Sequence, residues 1–156
     1  MSTFKIIFIS VLVLLTSIGL LWGQGIVPTD MNSPKDIVQA RKALMLAIKL
    51  NMDDVKAKMK LERPDMIRAN AQTLDVLARL IPPLYRDALK EAYEGTGNYF
   101  KGAPAEVIQS IAAKLSKAAQ KLGSAAAAED MAAIQSGVGN IFQTCGACHT
   151  PYRGKF

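Results

Sequence analysis

The sequence holds one histidine and two cysteines in 156 residues. A single imidazole excludes any centre that needs two histidines from one chain. Two thiols leave a structural zinc site short of ligands, since such sites take four and usually draw on a second, distant pair. Strand-like alternation of apolar and polar residues is missing. Basic residues are not interleaved with aromatics, which make up only 6% of the chain, so nothing points to nucleic acid. There is no internal repeat and no long low-complexity tract. What remains is an alanine-rich chain, 50% hydrophobic, with a formal net charge of +6. That excess suits an acidic redox partner, an anionic membrane surface, or simply a solvated exterior.

The N-terminus has the layout of an export signal: Lys5, then an uncharged run from Ile6 to Gly23. Trp22-Gly23-Gln24-Gly25 offers small residues for cleavage but no Ala-x-Ala. Eighteen helical residues span about 27 Å, marginal for a hydrocarbon core of about 30 Å. Residues 1–25 are therefore read as a signal peptide or a membrane anchor through residues 6–23, residues 26–33 as a linker, and residues 34–156 as one domain. The expected location is the periplasm, free or attached to the inner membrane.

Four amphipathic segments follow. Ser33-Pro34 supplies a cap and a proline at the first helical position. Ile37, Leu44, Ile48, Met52, Val55 and Met59 then recur at mostly three- and four-residue steps, predicting a helix over 34–62. A second runs from Pro64 to the break at Pro82-Pro83, with Ile67, Leu74, Leu77 and Ile81 inward. Residues 84–103 read as a longer crossing, with one short helix over 86–93. The third follows Pro104 and carries Val107, Ile111, Leu115, Ala118 and Leu122, weakening at Gly123-Ser124. Glu129-Asp130 opens the fourth, whose stripe Met131, Ile134, Val138, Ile141, Cys145, Cys148, Tyr152 is the most regular in the chain. The prediction is an all-α, antiparallel four-helix bundle preceded by the N-terminal signal or anchor helix.

Both cysteines and the histidine fall within five consecutive positions, Cys145-Gly146-Ala147-Cys148-His149. This is the spacing of c-type haem attachment. Each thiol can form a thioether to a haem vinyl group, and the adjacent imidazole is carried under the iron as an axial ligand. Competing readings are a redox-active thiol pair in a haem-free exported protein and a disulfide between neighbours, which leaves His149 unexplained. The cysteines lie on the core-facing stripe, so a haem tethered there is sandwiched between helices.

The opposite axial position decides the function. Met31, Met45, Met52, Met59, Met66 and Met131 are the thioethers beyond residue 25. Three of them, Met45, Met52 and Met59, share a face of the first helix, where methionines at heptad spacing are also ordinary core filler.

The chain resembles the cytochrome c′ superfamily, the class II c-type cytochromes, over residues 33–156. The resemblance rests on Cys145-Gly146-Ala147-Cys148-His149-Thr150-Pro151-Tyr152-Arg153 and on Asp36-Ile37-Val38-Gln39-Ala40-Arg41-Lys42-Ala43-Leu44-Met45. It departs from the usual pattern in lacking Ala-x-Ala and in having Gly146 where lysine is common. It implies His149 as proximal ligand, Arg153 close to it, Tyr152 among the haem contacts, Arg41 near the propionates and Met45 on the distal face. In the low-spin branch the distal residue is a coordinating methionine; in cytochromes c′ proper it is usually a bulky apolar residue guarding an open site. The expectation is a non-enzymatic, single-haem electron carrier with His149 and Met45 as iron ligands and one haem c on Cys145 and Cys148. The alternative is a five-coordinate haem that binds nitric oxide or carbon monoxide. Redox partner proteins follow from the carrier reading, and the family resemblance implies homodimerisation through the first two helices.

Overall fold

Two of the helices start on a proline and three carry an acid in the first turn, and two left-handed residues act as stops. The computed structural model describes residues 34–85 and 103–152. Helix α1 is Pro34–Lys60, α2 Pro64–Arg79, α3 Ala105–Ala127 and α4 Met131–Tyr152, with a 3-10 turn at Pro82–Leu84. No strand occurs among the described residues. The short helix expected over 86–93 and the expected signal or anchor at 1–25 lie outside the described residues.

α1 has Asp36 in its first turn and Lys58 and Lys60 in its last, each charge opposing the nearby end of the helix dipole. It stops at Glu62, whose φ is 50°. Glu62 N donates to Met59 O and Arg63 N to Lys58 O, the paired bonds of a Schellman stop. α3 ends the same way, with Glu129 at φ 53°, Glu129 N donating to Ala126 O and Asp130 N to Ala125 O. Asp130 then caps α4, its Oδ1 accepting from Ala133 N at 2.9 Å.

α3 packs against both α2 and α4, and α1 packs on α2. The buried stripe of α3 is Ile108, Ala112, Leu115, Ala119, Leu122 and Ala126, so Val107, Ile111 and Ala118 of the predicted stripe are half-buried instead. The reason is steric. A central helix with alanine at every second core position lets its neighbours approach closely, and α3 continues unbroken through Gly123, where an added Cβ would come within 3.4 Å of Ala71 Cβ.

A polar clamp joins α1 to α2. Asn70 is 7% exposed. Its Nδ2 donates to Asn51 Oδ1 and Asp54 Oδ2, both at 2.9 Å, and its Oδ1 accepts from Lys58 Nζ at 2.7 Å. Asn51 Nδ2 donates in return to Asn70 O at 3.0 Å. A second polar contact links α2 to α3, where Asp75 accepts from Ser116 Oγ, Arg79 and Gln120.

Candidate haem site

α1 packs closely on α2 but not on α3 or α4, and the space it leaves beside those two helices is a cavity of about 690 Å³. This is within the range that takes a cofactor-sized ligand, about 300–1,000 Å³. α1 lines it with Val38, Arg41, Met45 and Met52, α3 with Ile108, Ile111 and Leu115, and α4 with Phe142, Cys145, Cys148 and His149. Ile81 and Tyr85 close the end beyond α2.

The α4 stripe brings the motif here as its spacing predicts. Ile134, Val138 and Ile141 are buried, and Cys145 and Cys148, continuing the same face, are half-buried against the core. Neither thiol is in a disulfide. Burial pushes both thiols above their ordinary range, and the neighbouring Cys145 raises Cys148 further. Thiol–disulfide catalysts have the opposite shift, toward thiolate, so the pair is poorly suited to redox exchange. Addition of S–H across a vinyl group asks only that the thiols face the ring edge. No cluster of three or more metal-ligating His, Cys, Asp or Glu side chains occurs among the described residues, which leaves a zinc site without support.

Arg41 is 4% exposed, although it sits on a helix with open solvent on its other side. Its guanidinium lies over the Tyr85 ring, 4.7 Å from the centroid. A buried cation among the aliphatic side chains of the cavity wall, with the other charged lining residues exposed, fits the carboxylates of a haem. His149 lines the cavity but is exposed, at the open end of α4. Tyr152 is half-buried against the core and does not line the cavity, and Arg153 lies outside the described residues. Of the methionines, Met45 and Met52 line the cavity; Met59 is half-buried elsewhere, Met66 is exposed, Met131 is at the far end of α4, and Met31 is not described. Sequence reasoning missed Tyr85 and Phe142 as cavity residues. Phe142 is one turn before Cys145 but next to Ile141, which holds the buried stripe position, and Phe142 itself is 42% exposed.

An all-α bundle with attachment thiols, one imidazole and a buried cation around one cofactor-sized cavity defines a c-type haem protein of the four-helix kind. The sequence model of the Cytochrome C' family matches residues 36–153. The chain belongs to the cytochrome c′ family, and it carries a haem c bound through Cys145 and Cys148. No curated protein sequence matches it. Among solved structures, cytochrome c′ from Rubrivivax gelatinosus is 20% identical, with a TM-score of 0.63 over 80% of this chain and 99% of that one. A nitric oxide complex of a mutant cytochrome c prime from Alcaligenes xylosoxidans is 21% identical, with a TM-score of 0.65 over 81% and 100%. A carbon monoxide-bound variant of the same protein is 20% identical, with a TM-score of 0.60 over 81% and 100%. They share this fold.

These findings correct the expectation of a His149/Met45-ligated electron carrier. The matching family is that of cytochrome c′, and two of the aligned structures, both of one protein, hold a diatomic gas. A haem that takes up a gas on one face does not keep protein donors on both.

Proposed function

We propose that this protein binds nitric oxide or carbon monoxide at one face of its haem while His149 holds the other. The observation that carries the reading is the wall that α1 and α3 present to the cavity. Val38, Met45, Met52, Ile111 and Leu115 give it an aliphatic and thioether lining, and the chain has no second histidine. Such a wall excludes water and admits a small uncharged molecule. The haem supplies the iron that takes the gas. Cys145 and Cys148 hold the ring edge, Arg41 offers a buried cation for a propionate, and Tyr85 holds Arg41 in place from the end of the cavity. This is a binding role with no substrate turned over.

The test is the absorption spectrum of the haem-loaded protein, ferric and then ferrous, with carbon monoxide added. A high-spin spectrum that shifts promptly on adding the gas supports the reading. A low-spin spectrum with a sulfur-to-iron charge-transfer band and no response overturns it.

A homodimer through α1 and α2 is supported by exposed Leu50, Leu61, Met66, Val76 and Leu80. Met66, Val76 and Leu80 share one face of α2 at helical spacing. Sedimentation equilibrium checks it. A periplasmic location is supported by the export-signal layout of the sequence over residues 1–25. Among the described residues no helix is long and apolar enough to cross a membrane. Cell fractionation distinguishes a released protein from one held by residues 6–23.

A further inference from the structure

The rim of the cavity has a charge pattern that gas binding does not use. Lys42, Lys49 and Lys56 are spaced by seven on α1, which keeps them in one slowly drifting row. Lys42 and Lys49 line the cavity, and both are exposed. Lys56 reaches across to α4, its Nζ 4.4 Å from the centroid of the Phe142 ring. Phe142 lines the cavity as well, so the third lysine is held at the opposite rim. Leu46, one turn beyond Lys42, also lines the cavity and is 55% exposed. The one acid among the lining residues, Asp53, is engaged by Lys49 at 2.5 Å and also feels the charge of Lys56, so three lysines face a single carboxylate and the rim keeps a positive excess. α4 adds no charge of its own, since Met131–Tyr152 contains no Asp, Glu, Lys or Arg.

An exposed apolar residue ringed by cations is the arrangement of a transient docking patch: the charges steer and orient the encounter, and the apolar centre excludes water once the partner is seated. Met66, Val76 and Leu80, offered for homodimerisation, belong to the second helix and its end and are not part of the ridge, whereas Leu50 is one turn from Leu46 on α1 and borders it. Carbon monoxide binds ferrous haem, so a haem oxidised to the ferric state needs an electron before it can serve again. We infer that the Lys42–Leu46–Lys49–Lys56 ridge docks an acidic one-electron donor protein, which reduces the haem through the cavity mouth. One electron leaves the donor's reduced centre and the ferric iron becomes ferrous; no proton or group is transferred. The inference deepens the gas-binding reading and rests on it for the need of a ferrous haem.

The experiment uses full-length, haem-loaded protein and a reduced, acidic plant-type [2Fe–2S] ferredoxin as the probe. Stopped-flow reduction of the ferric haem is followed as salt is raised, for the native protein and for Lys42→Glu, Lys56→Glu and Lys117→Glu. The last makes the same change in net charge on an exposed α3 position that does not line the cavity. The expected result is a second-order rate that falls at least about tenfold with salt and with either rim substitution, the lower end of electrostatic steering, and that Lys117→Glu alters far less. Amide NMR with oxidised ferredoxin is expected to shift resonances of residues 42–56 in the native protein. Equal effects of all three substitutions, or a rate indifferent to salt, or shifts confined to other helices, overturn the docking site. Carbon monoxide binding to the dithionite-reduced variants is read separately: its absence in the native protein counts against the gas-binding reading, whereas its persistence in a variant with slowed reduction isolates the docking step.

Discussion

The guanidinium of Arg41 rests on the face of Tyr85, 4.7 Å from the ring centroid, and so ties the first helix to the turn that follows the second. With the side chain out of water, such a contact is worth about 1–2 kcal/mol. Tyr85→Leu is expected to lower the stability of the haem-loaded protein by that amount in urea unfolding, and Tyr85→Phe, which keeps the ring, by less. Arg41→Leu is expected to change the haem as well. On the proposal that Arg41 meets a propionate, loss of its charge lowers the reduction potential, and potentiometric titration reads the shift.

Asn70 holds α1 in register with α2 through Asn51, Asp54 and Lys58. Asn70→Ala removes the hub and leaves its partners to find water in a half-buried seam. The expected loss is about 1–3 kcal/mol, the cost of stranding polar groups there. Asn70→Leu is expected to be no better, because the partners are still stranded. Denaturant midpoints with an unchanged m-value check that the effect is on stability alone.

Asp75 carries the clearest dependence on pH. The hydrogen bond from Ser116 holds its carboxyl below the ordinary range, with Arg79 and Gln120 adding to the effect and burial opposing it. A carboxyl depressed in the folded state adds stability above its unfolded value, about 3.9, and loses it as pH falls through the lower folded value. Asp75→Asn is therefore expected to cost about 1–2 kcal/mol at pH 7, as for a hydrogen bond to a charged group. The gap between mutant and native melting temperatures should close as pH drops below 4.

Both helix stops use glutamate where glycine is usual. Glu129 sits at φ 53°, a conformation that costs a residue with a Cβ roughly 1–2 kcal/mol. Glu129→Gly relieves that strain but gives the unfolded chain more freedom, so a net gain of about 0.5 kcal/mol is expected. Asp130→Ala, next along the chain, is expected to cost about 1 kcal/mol through loss of the α4 cap. Thermal melts of the two variants should move in opposite directions.

What could be read from the sequence was what chemistry or periodicity fixes by residue type. The attachment pair Cys145 and Cys148 was legible because thioether attachment admits few substitutes, and their spacing also brings His149 to the same cavity. The α4 face was legible because seven residues keep strict three- and four-residue steps. The α3 face was misread at Val107, Ile111 and Ala118, which keep the same three- and four-residue steps as the buried Ile108, Ala112 and Ala119, with Ile111 a more hydrophobic choice than Ala112. Only the close approach of α2, at Ala71 and Gly123, makes small residues the better core. Buried Asn70 was invisible for a different reason: its partners come from another helix, and a lone asparagine gives no hint of them. At Met45 one thioether suits an iron and an apolar wall equally well, so residue type alone could not choose.

That choice sets the last prediction. Met45 lines the cavity from α1 and is half-buried. If its side chain bounds the space a gas must enter, Met45→Ala widens that space. The carbon monoxide association rate should then rise, about fivefold for a barrier lowered by about 1 kcal/mol, while the ferric spectrum of the haem-loaded protein stays as it was. Met45→Phe should slow association by filling the same space, with the spectrum again unchanged. If either substitution instead converts a low-spin ferric spectrum to a high-spin one, the thioether was on the iron, and the wall reading of Met45 is wrong. Flash photolysis of the carbon monoxide complex beside the ferric spectrum of each variant separates a steric effect, which moves the rate alone, from ligand loss, which moves both.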